Sequence, residues 1–269
     1  MKKYVVQEEM DLGEFLKTKE KKWKNLLKYE KVSINGKKVT NYHHKLHIND
    51  CISLDYTKET SKDLDIIYED KEFIAINKPS GLLTISTEKE KEKTLYHKVR
   101  EYLHQKNEKV FILHRLDKDT SGIIVFCKND KLKEKMQENW NSIVLKRYYM
   151  AIVKGHLEKK SGVIKNYLRE YKNEVVVANE KDGKLAITNY KILKQNESFS
   201  LVDIDLKTGR KNQIRVQFSN INHPVIGDVK YGSKDDRLYL HAYEFSFKHP
   251  ITKKVYDFKI DIPRDFKKI

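Results

Sequence analysis

The sequence predicts an α+β chain in two unequal parts, and three observations carry that prediction. Short runs of β-branched and aromatic residues, such as Val110-Phe111-Ile112-Leu113 and Ile123-Ile124-Val125-Phe126, have only loops or turns between them, so strands come in groups rather than alternating with helices. Leu95, Val99 and Leu103, and again Leu132, Met136 and Trp140, recur at helical spacing, which predicts amphipathic helices over Thr94 to Lys106 and Asp130 to Trp140. Nearer the N-terminus, Thr57-Lys58-Glu59-Thr60-Ser61-Lys62-Asp63 has no apolar residue and reads as a linker. The expected domains are therefore residues 1–58 and 64–269.

Composition narrows the class. The 269 residues suffice for a substantial core. Lys and Arg number 55 against 39 Asp and Glu, a net charge of +16 with a pI near 9.4, which favours a polyanionic partner, nucleic acid foremost. Lys-rich solvated faces on a protein without such a partner give the same balance. The two cysteines, Cys51 and Cys127, lie far apart in apolar runs, which indicates neither a disulfide framework nor a zinc cluster. No apolar stretch approaches the roughly 20 residues needed to span a bilayer, and no signal-peptide core is present. A cytoplasmic protein, monomeric and independent of membranes, is expected.

In the first part, Asp11 to Leu16 and Trp23, Leu26 and Leu27 are spaced for helices, and Val32-Ser33-Ile34 leads into Asn35-Gly36. Both turn residues tolerate positive φ, so a tight hairpin is predicted there. A second turn at Asn49-Asp50 precedes the alternating Cys51-Ile52-Ser53-Leu54. Residues 14–45 hold ten Lys and three Glu, a balance of 10 − 3 = +7, as a face that tracks phosphates requires. Lys22, Lys37 and Lys38 are its candidate RNA contacts. A charged helix surface without a ligand is the plain alternative.

In the second part, Ile66-Ile67-Tyr68 and Phe73 to Ile76 read as strands paired around Glu69-Asp70-Lys71. The loop His114-Arg115-Leu116-Asp117-Lys118-Asp119-Thr120-Ser121-Gly122 between two strand-like runs is where chemistry is expected, since loops at strand ends commonly carry function. Asp117 offers a nucleophile or base and Arg115 a phosphate or base contact. Capping of a polar turn would explain a lone Asp equally well. Further on, Lys146 to Gly155 reads as a strand in which Tyr149 and Ala151 face away from Tyr148 and Met150. Ala186 to Leu193 and Phe199 to Leu206 are also strand-like.

The nonapeptide resembles the HRLD-x-x-TSG signature of the RluA-type pseudouridine synthases. Asn77-Lys78-Pro79-Ser80-Gly81 is similar to a loop of that family, and the Y-x-A-x-V-x-G pattern selects Tyr149 rather than Tyr148 as its active-site tyrosine. Thr208-Gly209-Arg210-Lys211-Asn212-Gln213-Ile214-Arg215 follows the family's T-G-R-x-H-Q-I-R element, with Asn212 and Gln217 where histidines are usual. Neither replacement can titrate. His223, His241 and His249 have no metal-ligand spacing and are expected to form hydrogen bonds. The first part, with Leu27, Val32, Ile34, Asn35-Gly36 and Asn49-Asp50-x-Ile52, resembles an S4 RNA-binding domain.

The resemblance implies an α+β fold with a central mixed, mainly antiparallel sheet flanked by helices, preceded by a small α+β S4-like domain. It further implies isomerisation of uridine to pseudouridine in RNA, with ribosomal RNA favoured by the S4-like segment, and no cofactor. Asp117 is then the catalytic carboxylate, attacking ribose C1′ or, on an older scheme, uracil C6. Arg215 pairs with Asp117 and keeps it charged, and Tyr149 stacks on uracil. Arg115 fills the gap left by the flipped base, and Arg210 contacts RNA. No metal site is expected. Two rival readings fit parts of the chain. Asp117-Lys118-Asp119-Thr120-Ser121 approximates the D-x-D-x-[TV] loop of magnesium-dependent phosphatases, but those begin with the motif and continue as repeating βα units. An RNA-binding protein with a retired catalytic domain would not need Asp117, Tyr149 and Arg215 together.

Overall fold

The computed structural model describes every residue except 1, 22, 29–30, 56–63, 88–89, 91–92, 173, 233 and 269. The linker segment and Lys22 lie outside the described residues. By its internal contacts the chain divides into two compact units, Met1–Asp63 and Leu64–Ile269.

The first unit contains β1 (Lys2–Val5), β2 (Met10–Asp11), α1 (Leu12–Lys19), α2 (Trp23–Lys28), β3 (Val32–Ile34), β4 (Lys37–Lys38), β5 (Lys45–Leu46) and β6 (Cys51–Leu54). An antiparallel sheet of order β1-β6-β3-β4 packs with the helices around Leu12, Leu16, Val32, Ile34, Ile52 and Leu54. The predicted Asn-Gly turn is there: Asn35 and Gly36 have φ of 49° and 81°, and Ile34 pairs with Lys37 across them. The pairing of β2 with β5 was not predicted, because two-residue strands leave no periodicity.

The second unit holds β7 (Ile66–Glu69), β8 (Phe73–Lys78), α3 (Leu95–His104), β9 (Phe111–Ile112), β10 (Ser121–Cys127), α4 (Asp130–Glu138), α5 (Trp140–Ile143), β11 (Val144–Lys154), β12 (Ser161–Tyr171), β13 (Glu174–Ala178), β14 (Lys184–Gln195), β15 (Phe199–Leu206), α6 (Gln213–Asn220), β16 (Leu240–Lys248) and β17 (Val255–Lys259). One sheet runs β13-β12-β14-β15-β11-β16-β10-β8-β7, with β17 beside β16 and β9 beside β10. Its pairings are antiparallel except β10 with β16, so the mixed, mainly antiparallel sheet is observed.

The continuous apolar runs become the strands covered on both faces. Phe73 and Ala75 of β8, with Ile123 and Val125 of β10, join a core that includes Leu132 and Met136 of α4. Ile74 and Ile76, with Ile124 and Phe126, face Leu95, Val99 and Leu103 of α3. Both helices start at side-chain caps: Thr94 accepts the His97 N–H at 3.2 Å, and Asn129 accepts that of Leu132 at 2.9 Å. The second predicted helix ends at Glu138, and Trp140 begins the separate short α5. Among the described residues no helix is long and apolar enough to cross a membrane.

Candidate active site

Residues 113–120 connect β9 to β10, which lies between β16 and β8, and the sequence around them fixes this loop from several sides. At its start the His114 ring stacks on Phe245 with centroids 4.7 Å apart, and its Nε2 accepts the Val125 N–H at 3.1 Å. Burial pushes the imidazole down to about 3, so it is neutral and free to accept. Beneath the loop, the fully buried Lys78 donates to the carbonyls of Pro79, Leu82 and Lys118 at 3.0, 2.7 and 2.8 Å. Burial lowers its ammonium to about 8, against the pull of Asp119 and Asp117. Thr84 Oγ1 donates to the Leu116 carbonyl at 2.7 Å, and Ser80 Oγ to that of Asp119 at 2.7 Å. At the far end Gly122 has φ of 114°, and a Cβ there would lie 2.1 Å from the Ala242 carbonyl oxygen. Only glycine lets β10 approach β16 this closely.

Above this support is a cavity of about 540 Å³. Its lining includes Arg115, Asp117, Tyr149, Arg210 and Arg215, so the structure brings the predicted catalytic trio and two predicted RNA contacts to one place. The Asp117 side chain is 23% exposed. Burial raises its pKa above the usual carboxylate range, while the charges of Arg215, Arg115 and Lys78 oppose the rise.

Arg215 faces Asp117 as expected but has a second, tighter carboxylate partner. Its closest approach to Asp117 is 3.8 Å, from Nη1 to Oδ2. Its bidentate partner is Asp228, with Nε and Nη2 each donating at 2.7 Å. Asn212, at the left-handed residue before α6 with φ of 53°, accepts from Arg215 Nη1 at 3.1 Å and donates to the Tyr231 hydroxyl at 3.1 Å. The guanidinium is thus fixed by Asp228 and Asn212, and Asp117 takes its remaining field. Spacing in the sequence does not reveal this partnership, because the loop carrying Asp228 reads as a turn.

Tyr149 lines the cavity and also packs into the apolar clusters beside it. Burial pushes its phenol up to about 12, so the hydroxyl keeps its proton at neutral pH. Tyr148 lies parallel to Tyr243, with centroids 6.3 Å apart. Arg147, two residues before Tyr149, shares the cavity wall and donates to the Lys207 carbonyl. Arg147 and Lys78 are parts of this site that the sequence expectations do not include. Strand alternation from Tyr149 was the available signal for Arg147, and the Lys-Pro loop was the signal for Lys78.

The remaining candidates are distributed differently. Arg115 is exposed at the cavity, and Arg210 Nε donates to the Leu185 carbonyl at 3.0 Å. Lys211 pairs with Glu170, both also lining the cavity. Lys37 and Lys38 form the exposed β4 of the first unit. Gln217 is fully buried and cross-links elements outside the cavity, donating to the Ile164 and Ala186 carbonyls at 3.2 and 3.1 Å. His223, His241 and His249 all form hydrogen bonds: with the Lys154 carbonyl, the Ser121 hydroxyl, and the N–H groups of Ile251 and Thr252. Among the described residues no group of three His, Cys, Asp or Glu is placed to hold a metal ion.

Residues 72–220 match the family described as RNA pseudouridylate synthase. The chain is 34% identical to an uncharacterized RNA pseudouridine synthase of Mycoplasma pneumoniae, over 87% of this chain and 82% of that one. It is 34% identical to the tRNA pseudouridine synthase C of Haemophilus ducreyi, over 71% of this chain and 87% of that one. In fold it is similar to human RNA pseudouridylate synthase domain containing 1, with a TM-score of 0.64, 21% identity, and coverage of 77% of this chain and 86% of that one.

Proposed function

This chain belongs to the RNA pseudouridylate synthase family and is an RNA pseudouridine synthase, and from that premise we propose which of its groups do the work. Asp117 is the nucleophile. Its carboxylate adds to ribose C1′ as the bond to uracil N1 breaks, the detached base turns over, and C5 bonds to C1′ while Asp117 leaves. Loss of the C5 proton and protonation of N1 complete an isomerisation that conserves the atoms and oxidation level of uridine. No step is therefore routed through a metal or cofactor.

The observation that carries this reading is the Asp117 carboxylate, raised in pKa by burial, 3.8 Å from a guanidinium that other groups hold in place. A partly desolvated carboxylate beside a fixed positive charge remains reactive without being neutralised by a tight pair. Tyr149 supplies a face for stacking and a protonated hydroxyl to relay protons at the sugar or at C5. Arg115 occupies the gap left when the uridine flips out of its stack. Full conversion of target uridine by wild-type protein, and none by Asp117→Asn under single-turnover conditions, is the expected result. Substantial product from Asp117→Asn would contradict the assignment.

For the target we propose ribosomal RNA, bound in part by an S4-like first unit. The support is the unit's antiparallel sheet with two helices and the surplus of ten Lys over three Glu in residues 14–45. Because the Haemophilus ducreyi relative is named for transfer RNA, the test maps pseudouridine in both RNA classes from cells with and without this gene. A site lost from ribosomal RNA is expected. Loss confined to transfer RNA would overturn the choice.

A further inference from the structure

We infer that the first unit carries a separate pocket for one unpaired RNA nucleobase, formed where α1, α2 and the segment 40–43 meet. The inference rests on the reading of this unit as RNA-binding and names the chemistry it recognises. The pocket is about 590 Å³, and its lining includes Gly13, Lys17, Trp23, Lys24, Tyr42 and His43.

Its aromatic groups are placed for a ligand. Tyr42 is 50% exposed and His43 is also exposed, yet their rings lie against each other with centroids 3.8 Å apart and planes tilted by 38°. Neither ring belongs to the apolar core of the unit, whereas Trp23 packs against that core and also lines the pocket. Exposed aromatic faces beside positive charge are the usual platform for an unstacked base.

Gly13 lets this segment sit close against α1. Its N–H donates to the Tyr42 carbonyl at 2.8 Å, and a Cβ added there would stand 3.1 Å from that oxygen and 3.3 Å from the Tyr42 ring. The segment bearing Tyr42 and His43 is therefore seated directly on α1. Lys17 and Lys24 place their ammonium groups 5.9 and 5.7 Å from the centre of the Trp23 ring. Among the described residues neither makes an ion pair, so both charges are available for the phosphates on either side of a seated base. A carboxylate-bearing protein partner would satisfy the lysines without using the exposed Tyr42 face, which is why RNA is the occupant inferred.

The test uses the full chain with Trp140→Phe, which leaves Trp23 as its one tryptophan. A short oligoadenylate is titrated while the tryptophan emission is followed, beside an abasic ribose-phosphate oligomer of equal length and charge. Oligoadenylate should quench Trp23 and the abasic oligomer should not. Adding Tyr42→Ala should raise the half-quenching concentration about tenfold, within the range for loss of one stacked base. Tyr42→Phe, which keeps the ring, should restore it. Equal responses to the two oligomers, or unchanged affinity with Tyr42→Ala, would overturn the inference, including in favour of a protein ligand. Pseudouridine formation by wild type and Asp117→Asn, measured separately, reports on the catalytic reading, so failure of either proposal is visible without the other.

Discussion

Arg215 stands between two carboxylates that the chain treats in opposite ways. Asp228 is 1% exposed, receives two guanidinium hydrogen bonds at 2.7 Å, and accepts the N–H groups of Lys230 and Tyr231 at 3.0 Å each. Asp117 sits 3.8 Å from the same guanidinium and is 23% exposed to the cavity. A buried charge that is fully hydrogen-bonded is an anchor, and removing its partner leaves a charge with no solvent to receive it. A carboxylate held only by surrounding fields retains lone pairs for a substrate. The contrast teaches that ion pairing alone does not identify a catalytic group: the tighter pair here belongs to the scaffold.

Arg215→Ala should have the largest combined effect, abolishing turnover and lowering stability by roughly 3–5 kcal/mol as Asp228 loses its counter-charge. Denaturant unfolding reads the second loss. Adding Asp228→Asn to Arg215→Ala should recover part of that stability but no activity. If Arg215→Ala were as stable as wild type, the anchoring role of Asp228 would be wrong.

Tyr149→Phe keeps the ring and removes a phenol that burial holds protonated, so RNA binding should persist while the single-turnover rate falls by about 10²–10⁴. Tyr148, beside Tyr243 rather than in the cavity lining, should tolerate Phe with no change in rate. An exchange of these two phenotypes would contradict the placement of the Tyr149 face.

A smaller effect is expected from Arg115→Ala, and pH resolves it. Asp117 must be ionised to act, and its pKa is raised above the ordinary carboxylate value, so the acid limb of the rate profile should lie above roughly 3.9. Arg115 opposes that rise, so its removal should move the limb further toward neutral pH. Removing this cation from the cavity should also weaken RNA binding, most visibly at low salt. A limb that stays fixed in Arg115→Ala would mean that another group titrates.

Much of this arrangement was legible in the chain because it is local. The runs around residues 110–126 specified strands, Asn35-Gly36 specified a turn, and Leu95-Val99-Leu103 specified a helix face. Asp117, Tyr149 and Arg215 were selected by their motifs, and all three line one cavity. The partnership of Arg215 with Asp228 was not legible, because it depends on how α6 faces the following loop rather than on a period or spacing. The role of Lys78 is not legible for a related reason: a lysine at a strand end reads as solvated until the loop above it closes. Asn212 and Gln217 looked equivalent as departures from a histidine pattern, yet the structure separates them into a cavity residue and a buried cross-link.

The most direct test of this account compares Asp117→Asn with Asp228→Asn, measuring single-turnover pseudouridine formation and unfolding free energy for each. Since burial raises the Asp117 pKa, the fold favours its protonated form: stability linked to this group is present below the ordinary carboxylate pKa and lost as pH rises through the raised value. Asparagine resembles that uncharged form, so Asp117→Asn should make no pseudouridine and yet be as stable as wild type, or more so, at neutral pH. Asp228→Asn should instead lose roughly 3–5 kcal/mol, because Arg215 is left buried without its partner. Native-like turnover by Asp117→Asn, or full stability in Asp228→Asn, would contradict the division between reactive and anchoring carboxylate.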